Sequence, residues 1–433
     1  MRSQDYQIGQ RAAPGGAGIG VVEGATVPKE AAFGVRRKGR WRWSVLGLIV
    51  LLAIESVISA FTYPFFSLAL NAVDLPAWLV GLNASLAGAG IIFVGPLLPR
   101  LLSVIGPSRL TALLFALSLL CFGAIVAVDS LVVWFAARLV MGACFAALWA
   151  VNEIWLNGVV DDARRGRVLA TAMVVYTGAQ FVGPLLISVT GVAGSYPAVS
   201  AMLVLALAAG LALLIRDDGN IKAASKEEGH AGPDFREAIA ENRALFTTAL
   251  LIGLISATIQ SLSPLFGLDS GLDVEGASQL VAVFGLGELA VVIAIGLLAD
   301  QFDRGQLMRL SSIPTLLIAA ALPFVSYDPS LFAMALFFAG GILGGIYTLG
   351  LIVIGQHYRG IALATVSTGF SIAYSLGAVL GTTPIGYLID LVGSKVLIPS
   401  LGVSLVALGL VVLGWRKAQP VASLTRRDRT GAW

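Results

Sequence analysis

Apolar residues in this chain come in blocks of about 20 or more, each closed by a short polar stretch, with no period-two alternation inside a block. A helix rising about 1.5 Å per residue needs about 20 such residues to cross about 30 Å of hydrocarbon. In lipid only helices and closed barrels satisfy their own backbone polar groups, and unalternating blocks exclude the barrel. The pattern predicts twelve spans, over 44–70, 77–99, 108–129, 131–158, 166–191, 196–215, 244–267, 278–299, 305–326, 330–356, 359–388 and 395–415. The longest polar interruption, 216–243, divides them six and six and holds one candidate amphipathic helix near 235–240. The expected fold is an all-α membrane protein, twelve transmembrane helices in two six-helix pseudo-symmetric halves, 44–215 and 244–415. Residues 1–43 read as a disordered basic tail, 216–243 as a cytoplasmic central loop and 416–433 as a second short tail.

Composition agrees with that pattern: 57% of residues are hydrophobic and 12% charged, against about 25% charged in a soluble domain. The basic run from Arg36 to Arg42, interrupted by Gly39 and Trp41, meets the first block as a juxtamembrane anchor. That block starts too late and runs too long for a cleaved signal. Of the 28 Lys and Arg residues, all but Arg138 (inside a span) and Lys395 fall in the tails and in the loops on the side of the termini. Lys and Arg bias orients spans, so both termini of this multi-pass chain are expected in the cytoplasm.

Chemistry is sparse. Cys121 and Cys144 lie in apolar blocks, and His230 and His357 have no ligand spacing, so no disulfide, metal site or cofactor is expected. There is no Gly-rich phosphate loop, nucleophile elbow or carboxylate pair for an enzyme, and no repeated polar ring or filter segment for a channel.

The two halves share matches at near-constant offsets. Pro64-x-Phe66 pairs with Pro264-x-Phe266, 200 positions later; Arg165-Gly166, Ala170-Thr171 and Gly183 pair with Arg359-Gly360, Ala364-Thr365 and Gly377, 194 positions later. Parallel six-span halves with a solute site between them are an arrangement of secondary transporters. Gly296-Leu297-Leu298-Ala299-Asp300-Gln301-Phe302-Asp303-Arg304 resembles the loop motif G-x-L-A-D-(R/K)-x-G-(R/K) of the major facilitator superfamily, with Gln301 and Asp303 in place of the usual base and glycine. The copy between spans 2 and 3 is degenerate, whereas Gly386 to Gly393 resembles the motif on the other side. Arg138-Leu139-Val140-Met141-Gly142 resembles the superfamily's R-x-x-x-G motif, and Glu153-Ile154-Trp155-Leu156-Asn157 with Arg165-Gly166-Arg167 is similar to the YcaD-like bacterial branch. The resemblance implies a secondary active transporter working by alternating access. Gly183-Pro184 matches part of an antiporter motif but lacks its following Gly-Gly.

Charges within spans cost about 2.5–3.5 kcal/mol each and tend to face a cavity or a partner. Glu55 and Glu288 lie about 11 and 10 residues into their spans, near the bilayer centre. A lone carboxyl in low dielectric favours its neutral form, so either acid is expected to carry a proton or pair with a cationic solute, against structural hydrogen bonding in the bundle. The resemblance gives Arg138 a role in coupling or in organising the cavity; it could also hold an anionic solute group, or serve as a structural partner for a helix end or for Glu55. Glu153 is about 22 Å further along the same helix and cannot pair with Arg138. It is expected in a cytoplasmic gate with Arg164, Arg165 or Arg167, alongside Asp300, Arg304 and Arg359. The cavity lining is expected from Tyr63, Asn83, Trp149, Asn152, Tyr176, Gln180, Gln260, Tyr347 and Tyr374; by the repeat, Gln180 and Tyr374 should face it together. Gly340, Gly341, Gly344 and Gly345 form overlapping G-x-x-x-G pairs for close helix approach. The expected function is movement of a small organic solute, amphipathic or zwitterionic, by a proton-coupled monomer. Its partners are that substrate, the lipid bilayer and H+, with no nucleic acid. Facilitated uniport and multidrug or metabolite export are the alternatives within carriers, a channel or a membrane-embedded enzyme outside them.

Overall fold

A computed structural model describes residues 38–160, 162–215, 242–298, 302–325, 327–358 and 360–415. The tails, the central loop with its candidate helix at 235–240, and Asp300 and Arg359 lie outside the described residues. Within them are twelve helices long and apolar enough to cross a membrane: α1 (Trp43–Asn71), α2 (Ala77–Ile105), α3 (Pro107–Ala127), α4 (Leu131–Val159), α5 (Arg167–Thr190), α6 (Tyr196–Leu214), α7 (Arg243–Asp269), α8 (Val274–Ile295), α9 (Arg304–Val325), α10 (Pro329–His357), α11 (Val366–Val392) and α12 (Ser394–Leu413). The bundle is all-α, as the uninterrupted apolar blocks require. An even number of crossings leaves both ends of the chain at one end of the bundle.

Local irregularities have local causes. A 3₁₀ turn at Gly95–Leu97 breaks α2 where Pro96 and Pro99 remove backbone donors. Asp303, which stands where the loop motif has glycine, caps α9 by accepting from the Gln306 backbone N–H at 2.9 Å.

Helix packing obeys a two-fold rule. In the first half α1 packs on α5, α2 on α4 and α3 on α6; in the second, α7 packs on α11, α8 on α10 and α9 on α12. Across the halves α2 packs on α11 and α5 on α8, and a shift of six spans maps this whole set onto itself. Each half has its own apolar core. The expected glycine contacts are present: Gly340 abuts the Phe284 backbone and Gly341 the Val291 side chain, bringing α10 close to α8.

Matched residues reveal the register. A Cβ on Gly183 would lie 2.7 Å from the Phe61 backbone nitrogen in α1, and one on Gly377 would lie 2.9 Å from that of Leu254 in α7. Phe61 and Leu254 are 193 positions apart. The Ser67 hydroxyl donates to the Ser261 carbonyl at 2.6 Å, joining residues 194 positions apart across the two-fold. This corrects the pairing of Pro64 with Pro264: at an offset of 200 they differ in register by about two helical turns, and their sequence match is coincidental.

At the bundle end remote from the termini, α2 and α11 form a polar seam. The Ser85 hydroxyl lies 2.7 Å from those of Thr382 and Thr383, and the Thr382 hydroxyl donates to the Gly81 carbonyl at 2.9 Å. Asp390 accepts from the backbone N–H groups of Ala77 and Trp78 at 2.7 and 2.8 Å. The second half thereby caps a helix of the first.

Candidate functional site

Between the halves lies a cavity of about 260 Å³, lined by α1, α2, α4 and α5 from one side and α7, α8, α10 and α11 from the other. Helices α3, α6, α9 and α12 contribute nothing to it. These are again equivalent sets under the two-fold.

Glu55, Arg138 and Glu288 all line this cavity. Glu55 is 1% exposed and its Oε2 has no hydrogen-bond partner. Its neighbour Ser56 donates to the Tyr176 carbonyl at 2.7 Å, fastening α1 to α5. Glu288 is half-buried against α10, where a Cβ at position 344 would come within 2.5 Å of its Cγ; Gly344 makes room for the acid.

Arg138 is also 1% exposed. Its Nη1 donates to the Thr62 hydroxyl, which itself donates to the Ser59 carbonyl at 2.6 Å. The guanidinium carbon sits 4.8 Å from the Tyr63 ring centroid and 5.0 Å from that of Phe66. Its Nε has no partner, and among the described residues no carboxylate pairs with it. Cation–π contacts supply about 0.5–2 kcal/mol each, while burying a charge costs several kcal/mol. The cation is held in place but not neutralised.

Seven of the nine expected lining residues are at the cavity: Tyr63, Trp149, Tyr176, Gln180, Gln260, Tyr347 and Tyr374. Gln180 and Tyr374 do face it together. The rings of Trp149 and Tyr176 lie 4.2 Å apart, and Tyr347 meets Tyr374 edge to face at 5.6 Å. Asn83 and Asn152 are corrections. Asn152 is buried and accepts from Thr111 of α3 at 3.4 Å, serving the packing of one half; Asn83 is buried in α2, off the cavity wall.

Hydroxyls were overlooked: Ser59, Thr62, Thr177, Ser256, Ser371 and Ser375 also line the cavity. Helical spacing could have found them. Ser59 is four residues from Glu55 and from Tyr63, Thr177 is three before Gln180, Ser256 four before Gln260 and Ser371 three before Tyr374.

Of the expected gate residues, Glu153, Arg164, Arg167 and Arg304 have described side chains. Glu153 and Arg167 are exposed and Arg304 is half-buried, and Glu153 makes no ion pair with the described residues. The Arg165 side chain, Asp300 and Arg359 are outside the described residues. Cys121 and Cys144 are buried and unbridged, and no group of metal ligands occurs among the described residues.

The model of the Major Facilitator Superfamily matches residues 43–378. The chain belongs to this superfamily. A major facilitator protein is a membrane transporter rather than an enzyme, so the chain is a multi-pass transporter of a small-molecule substrate in lipid. Its similar relatives include an uncharacterized MFS-type transporter of Enterobacter sp. (strain 638), 26% identical over 72% of this chain and 79% of that one. The uncharacterized MFS-type transporter YfkF of Bacillus subtilis (strain 168) is 21% identical over 78% and 87%. The uncharacterized YcaD of Salmonella newport (strain SL254) is 26% identical over 77% and 85%, in keeping with the branch the α4–α5 residues resemble. Among solved structures, a mutant of the nucleoside transporter NupG is similar in fold, with a TM-score of 0.73 at 13% identity over 86% of this chain and 99% of that one.

Proposed function

We propose that this chain is a secondary active transporter of a small organic solute, driven by protons and working by alternating access. One observation carries the proposal: two carboxyls and a guanidinium from different helices converge on one cavity between the halves, and among the described residues they form no ion pair with one another. A carboxyl in such a place can change protonation as access alternates, whereas one locked in a salt bridge could not do so cheaply. The fastening at the end remote from the termini supports a state open toward the termini. With Lys and Arg concentrated there, that side is the cytoplasm of a bacterial inner membrane.

The test is solute-dependent proton movement in proteoliposomes with an entrapped pH dye. The solutes are aromatic carboxylates, aromatic amines and nucleosides, offered with and without an imposed pH gradient. Glu55→Gln and Glu288→Gln remove the proton sites while keeping side-chain volume. We expect at least one of them to reduce gradient-driven accumulation to the level of protein-free vesicles while downhill exchange of the same solute continues. Full gradient-driven flux in the double variant overturns proton coupling through these acids.

A further inference from the structure

The acids and the base in this cavity are not equivalent as unpaired groups. A buried carboxyl can shed its charge by taking up a proton, but a guanidinium stays charged under all physiological conditions. Glu55 and Glu288 can therefore lack a counter-charge at modest cost, and Arg138 cannot. It has a hydroxyl, two aromatic faces and no counter-charge among the described residues, with Nε unpartnered at 1% exposure. An anionic ligand would supply the counter-charge that the described residues do not.

The rest of the cavity indicates the shape of that partner. Thr62, which fixes Arg138, follows Glu55 by seven residues on α1, about 10 Å along the axis. Arg138 thus occupies one end of the lining and Glu55 lies two turns away. Trp149, Tyr176, Tyr347 and Tyr374 surround the space between the halves, and about 260 Å³ is small for a ligand site. Aromatic walls on both sides of a small cavity favour a flat body that can stack on them.

We infer that the transported solute is a small ring-bearing organic anion whose carboxylate or comparable group seats on Arg138. This rests on the transporter reading of the same cavity and narrows it. Arg138 supplies a planar donor fork suited to a two-oxygen anion, and Thr62 keeps that fork oriented. The carboxyls are left to the proton, since an anion on Arg138 has no use for them as partners.

Benzoate is the probe, with benzamide as its neutral isostere, benzylamine as its cationic analogue and sodium chloride as an inorganic anion. Each is titrated at equilibrium into the purified full chain in lipid nanodiscs, read by quenching of Trp149 fluorescence and by thermal stabilisation. Benzoate should bind saturably and at least about 30-fold more tightly than benzamide, the scale expected for a buried charge left unpaired. Arg138→Gln should lose a similar factor, and Arg138→Lys should recover part of it. In Trp149→Phe the fluorescence response should vanish while thermal stabilisation by benzoate is still measurable. Equal binding of benzamide or benzylamine, an equal response to chloride, no saturable benzoate binding, or an unchanged affinity in Arg138→Gln overturns the assignment. If Arg138→Gln does not fold, the benzoate-to-benzamide ratio in the native protein decides alone. No gradient is involved, so the two readings fail separately. Anion discrimination without proton-driven flux sinks the coupling proposal, and flux without discrimination sinks this one.

Discussion

At the residue scale, the chain uses absent side chains as carefully as charged ones. Gly183 and Gly377 let α5 and α11 rest on the backbones of α1 and α7. Because they do the same job in the two halves, Gly183→Ala and Gly377→Ala should each cost about 1–3 kcal/mol of stability, the usual penalty for overpacking, and by similar amounts. Thermal unfolding in detergent checks this, and a cost confined to one position would contradict the equivalence. The charged residues and most aromatic lining were legible in the sequence, because a charge in an apolar block has few other reasons to exist. The asparagines misled for a physical reason. A buried amide can find its partner inside one half, as the Asn152 oxygen does in Thr111, and depth alone does not say which way it faces. The hydroxyls went unseen because Ser and Thr bond their own helix carbonyls and are cheap anywhere in a span.

At the element scale, the spans were legible and their mutual register was not. Length and apolarity mark each helix independently, whereas register depends on a few contacts between helices distant in sequence. Pro64 and Pro264 matched in type but not in place; Ser67 and Ser261 show where the axis lies. The contact of Asp390 with the start of α2 yields an element-scale prediction. A carboxylate at a helix N-terminus contributes about 0.3–1 kcal/mol, up to about 2 when partly buried. Asp390→Asn keeps an acceptor and removes the charge, so it should favour separation of α2 from α11 by about 1 kcal/mol, about fivefold in population. Spin labels at Val73→Cys and Leu391→Cys, both exposed at that end, should show a larger long-distance fraction by electron double resonance. An unchanged distance distribution would leave Asp390 no part in holding that end shut.

At the scale of the whole molecule, a symmetric frame carries asymmetric chemistry. In the register set by Ser67 and Ser261, the position matching Glu55 is Ala249, which is wholly buried among apolar neighbours. The packing repeats between the halves, and at this position the charge stands in one of them only. The distribution of Lys and Arg makes a prediction about the entire chain: reporter domains fused to either terminus should be active only as cytoplasmic reporters, and those inserted after Ala72 or Ser270 only as external ones. A reversed pattern would also reverse which face the cavity opens to.

The two seams between the halves differ in kind. Hydroxyls and a carboxylate hold α2 to α11, whereas α5 and α8 share no side-chain hydrogen bond among the described residues. When the polar seam parts, solvent can take over each broken bond nearly one for one, leaving a net cost of about 0.5–1.5 kcal/mol apiece. The apolar seam gains no such substitute. Under the proposed alternating access, exchange with water would begin on the α2–α11 flank, and the α5–α8 flank would be the greasy bearing on which the two bodies turn.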